Sequence, residues 1–288
     1  MDFYLTALLQ GLCFSAIALG IYISMKIFNI PDITTDGSYT LGGVVTAIML
    51  THHQSTYIIL PAVVLAGAGA GAITGIIHTK LKINALLAGI LVMEALYSVN
   101  LSLMGRSNIP LINVSSLFTL INISDNPNYN TLWILSIFVI VITILIGYLL
   151  KTDFGLAMRA TGNSESMIRS LGVNTDRMKI IGLALANALT AVSGYLISQF
   201  QGFTDISMGI GIVILGLGSV IIAETLINWF RITSVWLSLV LVLSGAIIFQ
   251  MVLAVTLSIG VNANLLKMVT SAFVLLIVGL PMIKFKSR

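Results

Sequence analysis

Long apolar runs separated by short polar breaks fill most of this chain. The runs lie at 3–25, 38–50, 57–77, 83–103, 131–150, 180–200, 208–223, 233–257 and 265–283. Most of them approach the ~20 residues that an α-helix needs to cross the hydrocarbon of a bilayer. The pattern therefore predicts an all-α integral membrane protein, a polytopic helix bundle of about nine spans within a range of eight to ten.

Two of the runs, 38–50 and 208–223, are short and interrupted by glycine. Polar, turn-rich sequence precedes each of them, NIPDITTDG in the first case and QGFTD in the second. Short or broken helices lie at membrane depth only where protein or a water-filled cavity covers their free backbone groups. We therefore expect two short broken helices, either re-entrant pairs or kinked helices.

The composition identifies the solvent of these runs. Apolar residues make up 58% of the 288 residues and charged residues only 8%, with a mean hydropathy of +1.06. Because a soluble globular chain carries about 25% charged residues, lipid must be the solvent for most of this surface. The net charge of +4 lies in the polar breaks, so it marks orientation and not a nucleic-acid-binding face. The one cysteine, Cys13, lies in an apolar run and excludes a disulfide framework.

The basic residues predict the orientation. With the N-terminus outside, the outer face carries only Arg106 and Lys267. The inner face then collects twelve basic residues: Lys26, Lys80, Lys82, Lys151, Arg159, Arg169, Arg177, Lys179, Arg231, Lys284, Lys286 and Arg288. Because cytoplasmic loops carry the excess of Lys and Arg, we expect an outer N-terminus and a cytoplasmic C-terminus.

The two short segments are similar to each other, which indicates an internal repeat. DITTDGSYTLGGVV begins at Asp32 and DISMGIGIVILGLGSV begins at Asp205. A separation of 174 residues aligns six pairs: Gly20 with Gly194, Ile23 with Ile197, Ser24 with Ser198, Gly37 with Gly211, Leu41 with Leu215 and Gly42 with Gly216. Because five spans separate the copies, the layout is that of an inverted-topology repeat. The expected organisation is one transmembrane domain over 1–288, with repeat halves at about 1–150 and 180–288 and a cytoplasmic coupling loop at 151–179.

Five acidic residues are candidates for a translocation path: Asp32, Asp36, Glu94, Asp205 and Glu224. Glu94 lies near the middle of an otherwise uncharged span, where a carboxylate is costly unless it pairs, protonates or faces water. It is either a pathway or gate residue or a neutral carboxyl that locks helix contacts. The other four lie at the ends of the two short segments, where they either cap half-helices or line a path.

The loop 151–179 contains the pattern of one short helix, NSESMIRSLG. Asn163 is the expected N-cap, Glu165 lies in the first turn, and Gly172 ends the helix. Glu165 and Arg169 form an i,i+4 pair in the favourable order.

The same helix has a small apolar face made of Met167, Ile168 and Leu171. A helix of under three turns is not stable alone in water, so it needs a surface to dock on. An apolar face with polar flanks fits a groove on a cytosolic partner; the alternative is a solvated connector.

Motifs for chemistry are absent from the sequence. It has no GxxxxGK[ST], HExxH or GxSxG pattern and no paired-cysteine spacing. His52 and His53 are adjacent in a short outer loop and indicate a solvated turn, while His78 indicates an interfacial position. We expect no catalytic residue, no metal site and no cofactor in this chain, which argues against a membrane enzyme.

The inner loop resembles the coupling segment of a known family, the permeases of the branched-chain amino-acid and ribose class of ABC importers. The family pattern R-A-x-G-x-N/S-x-x-x-A/I-R-x-x-G-I/V falls on these residues: Arg159, Ala160, Gly162, Ser164, Ile168, Arg169, Gly172 and Val173. Ile168 stands where alanine is commoner. NIPDITTDGSYTLGG, ALYSVNLSLMGRSNIPL and QGFTDISMGIG resemble the tryptophan/tyrosine-type transport permeases of that class.

The resemblance implies an assembly: a homodimer of this chain in the bacterial plasma membrane, two cytosolic ATPase subunits that hold ATP and Mg²⁺, and an extracytoplasmic substrate-binding lipoprotein. Membrane lipid is a further partner and nucleic acid is not. It also implies an inverted repeat and an ATPase-coupling role for these residues: Gly162, Asn163, Glu165, Met167, Ile168, Arg169, Leu171 and Gly172.

The resulting expectation is a permease subunit that imports a small solute by alternating access. The subgroup resemblance favours tryptophan or tyrosine. The alternative is an ion- or proton-coupled secondary transporter that uses Glu94 and Asp205 as its relay.

Overall fold

A computed structural model describes residues 2–112, 114–262 and 265–285, with side chains from 3 to 277 within those ranges. The helices are α1 Asp2–Ile21, continued by a π-helical segment Tyr22–Ile27, then α2 Thr34–Thr51, α3 Thr56–Lys80, α4 Ala85–Met104, α5 Leu117–Leu120, α6 Pro127–Lys151, α7 Asp153–Asn163, α8 Glu165–Ser170, α9 Thr175–Gln201, α10 Ile212–Trp229, α11 Val235–Ser258 and α12 Leu266–Phe285. The strands are β1 Asn108–Pro110 and β2 Phe203–Asp205.

Seven of the helices in the described ranges are long and apolar enough to cross a membrane: α1 with its π-helical segment, α3, α4, α6, α9, α10 and α11. α2 is a less apolar helix, because it contains threonine, serine, glycine and Asp36. α12 is apolar over Leu266–Ile277. The all-α membrane class is confirmed, and the total of about nine spans remains a prediction.

The two short segments are longer than their apolar runs, so the predicted bounds 38–50 and 208–223 were wrong. Both α2 and α10 have 18 residues. α2 begins in polar sequence because Asp32 satisfies its first turn: the Thr34 amide donates to Oδ1 at 2.9 Å, and the Thr35 hydroxyl donates to the Asp32 carbonyl at 3.1 Å. α10 begins only after Gly211, whose φ of +85° ends the preceding turn.

α1 and α9 form the centre of the bundle, and most of their residues are buried. α9 packs against α1, α2 and α3, while α1 packs against α11. Glycines allow this close approach: a Cβ at Gly71 would collide with the Leu183 carbonyl oxygen, and a Cβ at Gly194 with the carbonyl of Tyr39. Small residues at helix contacts are how membrane helices gain van der Waals packing without a hydrophobic driving force.

The helix pairs correspond under the predicted separation of 174 residues. α1 packs on α11 as α9 packs on α3, and α10 packs on α11 as α2 packs on α3. The register also agrees: Gly42 faces Ala191 of α9, and Gly216 faces Ile17 of α1. Gly42 and Gly216 are 174 residues apart, and so are Ile17 and Ala191. This packing supports the proposed repeat.

A two-stranded antiparallel ribbon joins the two halves of the chain, and the sequence pattern did not predict it. β1 pairs with β2 in the register Asn108 with Asp205, Ile109 with Thr204 and Pro110 with Phe203. Ile109 is buried under this ribbon. The segment that follows α4 is therefore held against the segment that follows α9.

Two glycines of α3 allow a matched test of the close contact with α9. We expect Gly71→Ala to lower the free energy of unfolding by about 1–3 kcal/mol, because the new Cβ overpacks against the Leu183 carbonyl. A Cβ added at Gly69 would meet no described atom within 4 Å, so Gly69→Ala should stabilise by about 0.5–1 kcal/mol. Unfolding in detergent micelles, followed by circular dichroism, measures both. Equal effects of the two changes would contradict the close contact.

Candidate functional site

A cavity of about 330 Å³ lies between α2, α4 and the turn that precedes α10. Two of the five predicted path residues, Asp36 and Glu94, line it together. Asn100 adds an amide, and Met93, Tyr97 and Ile210 are among the apolar lining residues. No lysine or arginine of the described chain lines this cavity, so its formal charge is negative and it favours cationic over anionic groups.

Asp36 has a capping role, but the helix that it caps is in the other half of the chain. Its Oδ2 accepts from the Gly211 amide at 2.9 Å and its Oδ1 from the Val213 amide at 2.9 Å. Gly211 is the N-cap residue of α10 and has no side chain to satisfy these donors. The carboxylate therefore supplies the missing acceptors and complements the positive end of the α10 dipole.

Glu94 lies at the middle of α4, as the sequence predicted. It is exposed in the single chain, and no described residue makes a hydrogen bond or an ion pair with its carboxylate. α4 is also the least buried of the seven apolar helices. The structure therefore favours the pathway interpretation of Glu94 over that of a carboxyl locked by helix contacts.

Asn100 is a member of the cavity that sequence reasoning missed. Its side chain is fully buried, and its Nδ2 donates to the Gly37 carbonyl at 3.3 Å. Its Oδ1 is buried and has no partner within the described ranges. An amide within an apolar span was a signal available in the sequence, since such residues are costly there unless they bond.

Asp32 is buried behind the cavity in a separate polar cluster. Its Oδ2 accepts from Asn187 Nδ2 at 2.6 Å, and Asn187 Oδ1 accepts from the Ser38 hydroxyl at 2.7 Å. Asn187 also donates to the Leu183 carbonyl within α9. The cluster ties the start of α2 to the middle of α9, and Asn187 is a second amide that sequence reasoning missed.

The remaining two path candidates lie apart from the cavity. Asp205 ends β2, where it accepts from the Ser207 hydroxyl, from the Ser207 amide at 2.8 Å and from Asn108 Nδ2 at 3.4 Å. The Ser207 hydrogen bonds hold the pKa of Asp205 below its usual range. Glu224 forms an ion pair with Lys26 at 2.8 Å, between α10 and the end of the π-helical segment.

The predicted inner loop 151–179 contains more helix than expected. α7 occupies its first part, α8 follows after Ser164, and α9 begins at Thr175, five residues before the apolar run. Asn163 was predicted to be the N-cap of the short helix, and this was wrong. It is the last residue of α7, and Ser164 in extended conformation precedes α8.

The predicted end of this short helix is present. Gly172 has φ +85°, its amide donates to the Arg169 carbonyl, and the Val173 amide donates to the Ile168 carbonyl. These two bonds form a Schellman motif, which satisfies the last carbonyls of α8. Gly162 serves a different purpose, because a Cβ there would collide with the Ile27 carbonyl oxygen. It holds α7 against the end of the first helix.

Charged side chains fasten α8 to α9. Arg169 bonds Glu165 at 3.0 Å, the predicted i,i+4 pair, and Asp176 at 3.2 Å. Lys179 donates to Glu165 at 2.6 Å, which holds the pKa of Glu165 below its usual range. A lowered pKa means that these ion pairs stabilise the folded chain above the ordinary carboxyl pKa and are lost only as pH falls through the lowered value.

The apolar face predicted for α8 is divided in the structure. Met167 is 63% exposed and Leu171 is 68% exposed, whereas Ile168 is partly buried. Two neighbouring large apolar side chains are therefore available to a partner, while the charged residues of the helix face α9.

Comparison with known proteins identifies the family of this architecture. Residues 3–279 match the family described as the permease component of branched-chain amino acid transport systems. A tyrosine transport system permease protein of Clostridioides difficile is 38% identical over 275 residues, which cover 96% of this chain and 90% of that protein. The ribose import permease protein RbsC of Haemophilus influenzae is 24% identical over 78% of this chain and 69% of its own length.

A solved structure shares the fold. An ABC transporter of the metal-chelate type, in an inward-facing conformation, superposes with a TM-score of 0.52 and 15% identity, covering 98% of this chain and 85% of that one. The resemblance first noticed in the inner loop is therefore confirmed over nearly the whole sequence. The chain belongs to the family of branched-chain amino acid transport permeases and is a multi-pass membrane permease component of an ABC importer.

Proposed function

We propose that this chain is the permease of an ATP-driven importer for an aromatic amino acid, tyrosine or tryptophan. The observation that carries the proposal is the 38% identity, over 96% of the chain, with the tyrosine transport system permease protein. ATP and Mg²⁺ are held by two separate cytosolic ATPase subunits, and an extracytoplasmic binding lipoprotein delivers the solute. The N-terminus lies outside the cell and the C-terminus in the cytoplasm, as the basic residues indicate.

The chain works as a homodimer in which α4 faces the second copy. In a single chain, α4 exposes Glu94 at mid-span, where contact with lipid would be costly. A second copy placed against α4 removes that cost and encloses the cavity between two α4 helices. The solute then passes between the two copies, with Asp36 and Glu94 along its path.

Motion of α8 reaches the cavity through α9. Ion pairs of Glu165 and Arg169 fasten α8 to the first turns of α9. Further along α9, Asn187 holds Asp32 and Ser38 at the start of α2. Closure of the ATPases on α8 therefore moves α9 and α2 together and switches access to the cavity from one side of the membrane to the other.

The structure and the family both disfavour the secondary-transporter alternative. That alternative requires Glu94 and Asp205 to act in one relay, but Asp205 is bound within the ribbon and does not line the cavity that contains Glu94. The ion-coupled mechanism also gives no role to an exposed apolar pair on α8.

Reconstituted uptake tests the proposed function. We expect proteoliposomes that contain this permease, its ATPase and its binding lipoprotein to accumulate tyrosine or tryptophan only when ATP is present. Uptake by the permease alone, driven by a proton or sodium gradient, would contradict the proposal. Ribose supplied with the same assembly serves as the control solute, and its transport in place of the amino acids would contradict the substrate assignment.

Substitutions on α8 test the coupling surface. We expect Met167→Asp and Leu171→Asp each to lower ATP-driven uptake at least about tenfold, because a charge in an apolar groove costs more than one hydrogen bond returns. Ser166→Asp is the matched control: it adds the same charge to an exposed position about 100° around the helix. Co-purification of the ATPase with each variant gives a second measurement. Wild-type uptake in both apolar-face variants would reduce the loop to an orientation signal.

A further inference from the structure

We propose that the cavity between α2, α4 and the turn before α10 binds the ammonium group of the transported amino acid. The inference rests on the proposed function and adds a transient solute site within the permease itself. It thereby assigns part of the chemical selection to this chain, in addition to the selection made by the binding lipoprotein.

Glu94 supplies the charge of the site. Its carboxylate lines the cavity and has no partner among the described residues. Asp36 adds a second carboxylate, but its two oxygens are already engaged by the amides of Gly211 and Val213. Glu94 is therefore the acidic group that is free to pair with an incoming cation, and Asp36 contributes mainly through its field.

Asn100 supplies the independent observation that a ligand is missing. Its side chain is completely buried, and its Oδ1 is a hydrogen-bond acceptor that meets no donor in the described part of the chain. The other side of the amide is fixed, because Nδ2 donates to the Gly37 carbonyl at 3.3 Å. A buried acceptor left unpaired costs about 1–3 kcal/mol, and an ammonium N–H in the cavity would remove that cost.

The rest of the cavity fits an amino acid with a large apolar side chain. Its volume of about 330 Å³ lies at the lower end of the range for small-molecule sites. Met93 and Tyr97 line it on α4, and Ile206 and Ile210 line it on the turn before α10. An ammonium group has three donors, which carboxylate and amide oxygens satisfy together.

The charge of the lining selects against other solutes. A carboxylate without an ammonium group would meet two acidic side chains and no lysine or arginine of the described chain. A neutral sugar would leave the charge of Glu94 unpaired. An inorganic cation such as sodium is the competing occupant, and the experiment includes it as a separate arm.

Equilibrium dialysis on the permease–ATPase complex in nanodiscs, without the binding lipoprotein, tests the site. The probes are radiolabelled tyrosine, tyramine, which keeps the ammonium group and lacks the carboxylate, and 3-(4-hydroxyphenyl)propionate, which has the reverse. We expect tyramine to compete with tyrosine and the propionate to compete at least about tenfold more weakly. Equal competition by the two analogues, or no tyrosine binding, would overturn the proposal.

Variants assign the site to its residues. We expect Glu94→Gln and Asn100→Leu each to weaken tyramine binding about tenfold, while Glu94→Asp keeps most of it. Asp125→Asn is the charge-matched control, because Asp125 is exposed in a different segment and does not line the cavity. Wild-type tyramine binding by Glu94→Gln would overturn the proposal. Displacement of tyramine by sodium in the wild type, absent in Glu94→Gln, would assign the site to an inorganic cation instead.

Uptake separates this inference from the proposed function. If the complete importer with Glu94→Gln binds tyramine and transports tyrosine like the wild type, the ammonium site is wrong and the importer assignment stands. If the wild-type importer shows no ATP-driven uptake of an aromatic amino acid, the proposed function is wrong, and the binding measurements still decide whether the cavity takes an ammonium group.

Discussion

The satisfaction of the α10 N-terminus by Asp36 is the interaction on which the arrangement around the cavity depends. α10 begins with a glycine that has no capping side chain, so its free amides need an acceptor from elsewhere. Asp36 of α2 provides both acceptors at 2.9 Å. One carboxylate thus fixes the position of α10 relative to α2, and the space left beside that contact, closed by α4, is the cavity.

A second constraint is that α9 must approach its neighbours closely while carrying polar groups. Gly71 and Gly194 permit backbone-to-backbone packing with α3 and α2. Asn187 then meets Asp32 and Ser38 within hydrogen-bonding distance. The same helix receives the ion pairs of α8 at its first turns. Tight packing and polar attachment in one helix make α9 a rigid connection between the inner loop and the start of α2, as coupling over this distance requires.

The acidic residues illustrate why residue type alone did not identify the site. Five carboxylates were equivalent candidates in the sequence, yet they have different structural roles. Asp32 and Asp205 stabilise turns, Glu224 pairs with Lys26, and Asp36 caps a helix. Of the five, only Glu94 has no partner among the described residues. Polar groups inside a folded chain are expected to be bonded, so the exception carries the functional information.

Local pattern by itself determined the features that depend on neighbouring residues. The apolar runs predicted the long helices, the spacing of Glu165 and Arg169 predicted their ion pair, and Gly172 predicted the end of α8. A local prediction also failed, because α7 continues through Asn163, where a cap was expected. The tertiary structure alone decided that Asp36 meets Gly211, 175 residues away, and that Asn100 faces the cavity with one bond unmade among the described residues. The physical reason is that a periodic pattern states which face of a helix is apolar, whereas the partner of a polar group depends on which distant backbone is packed beside it.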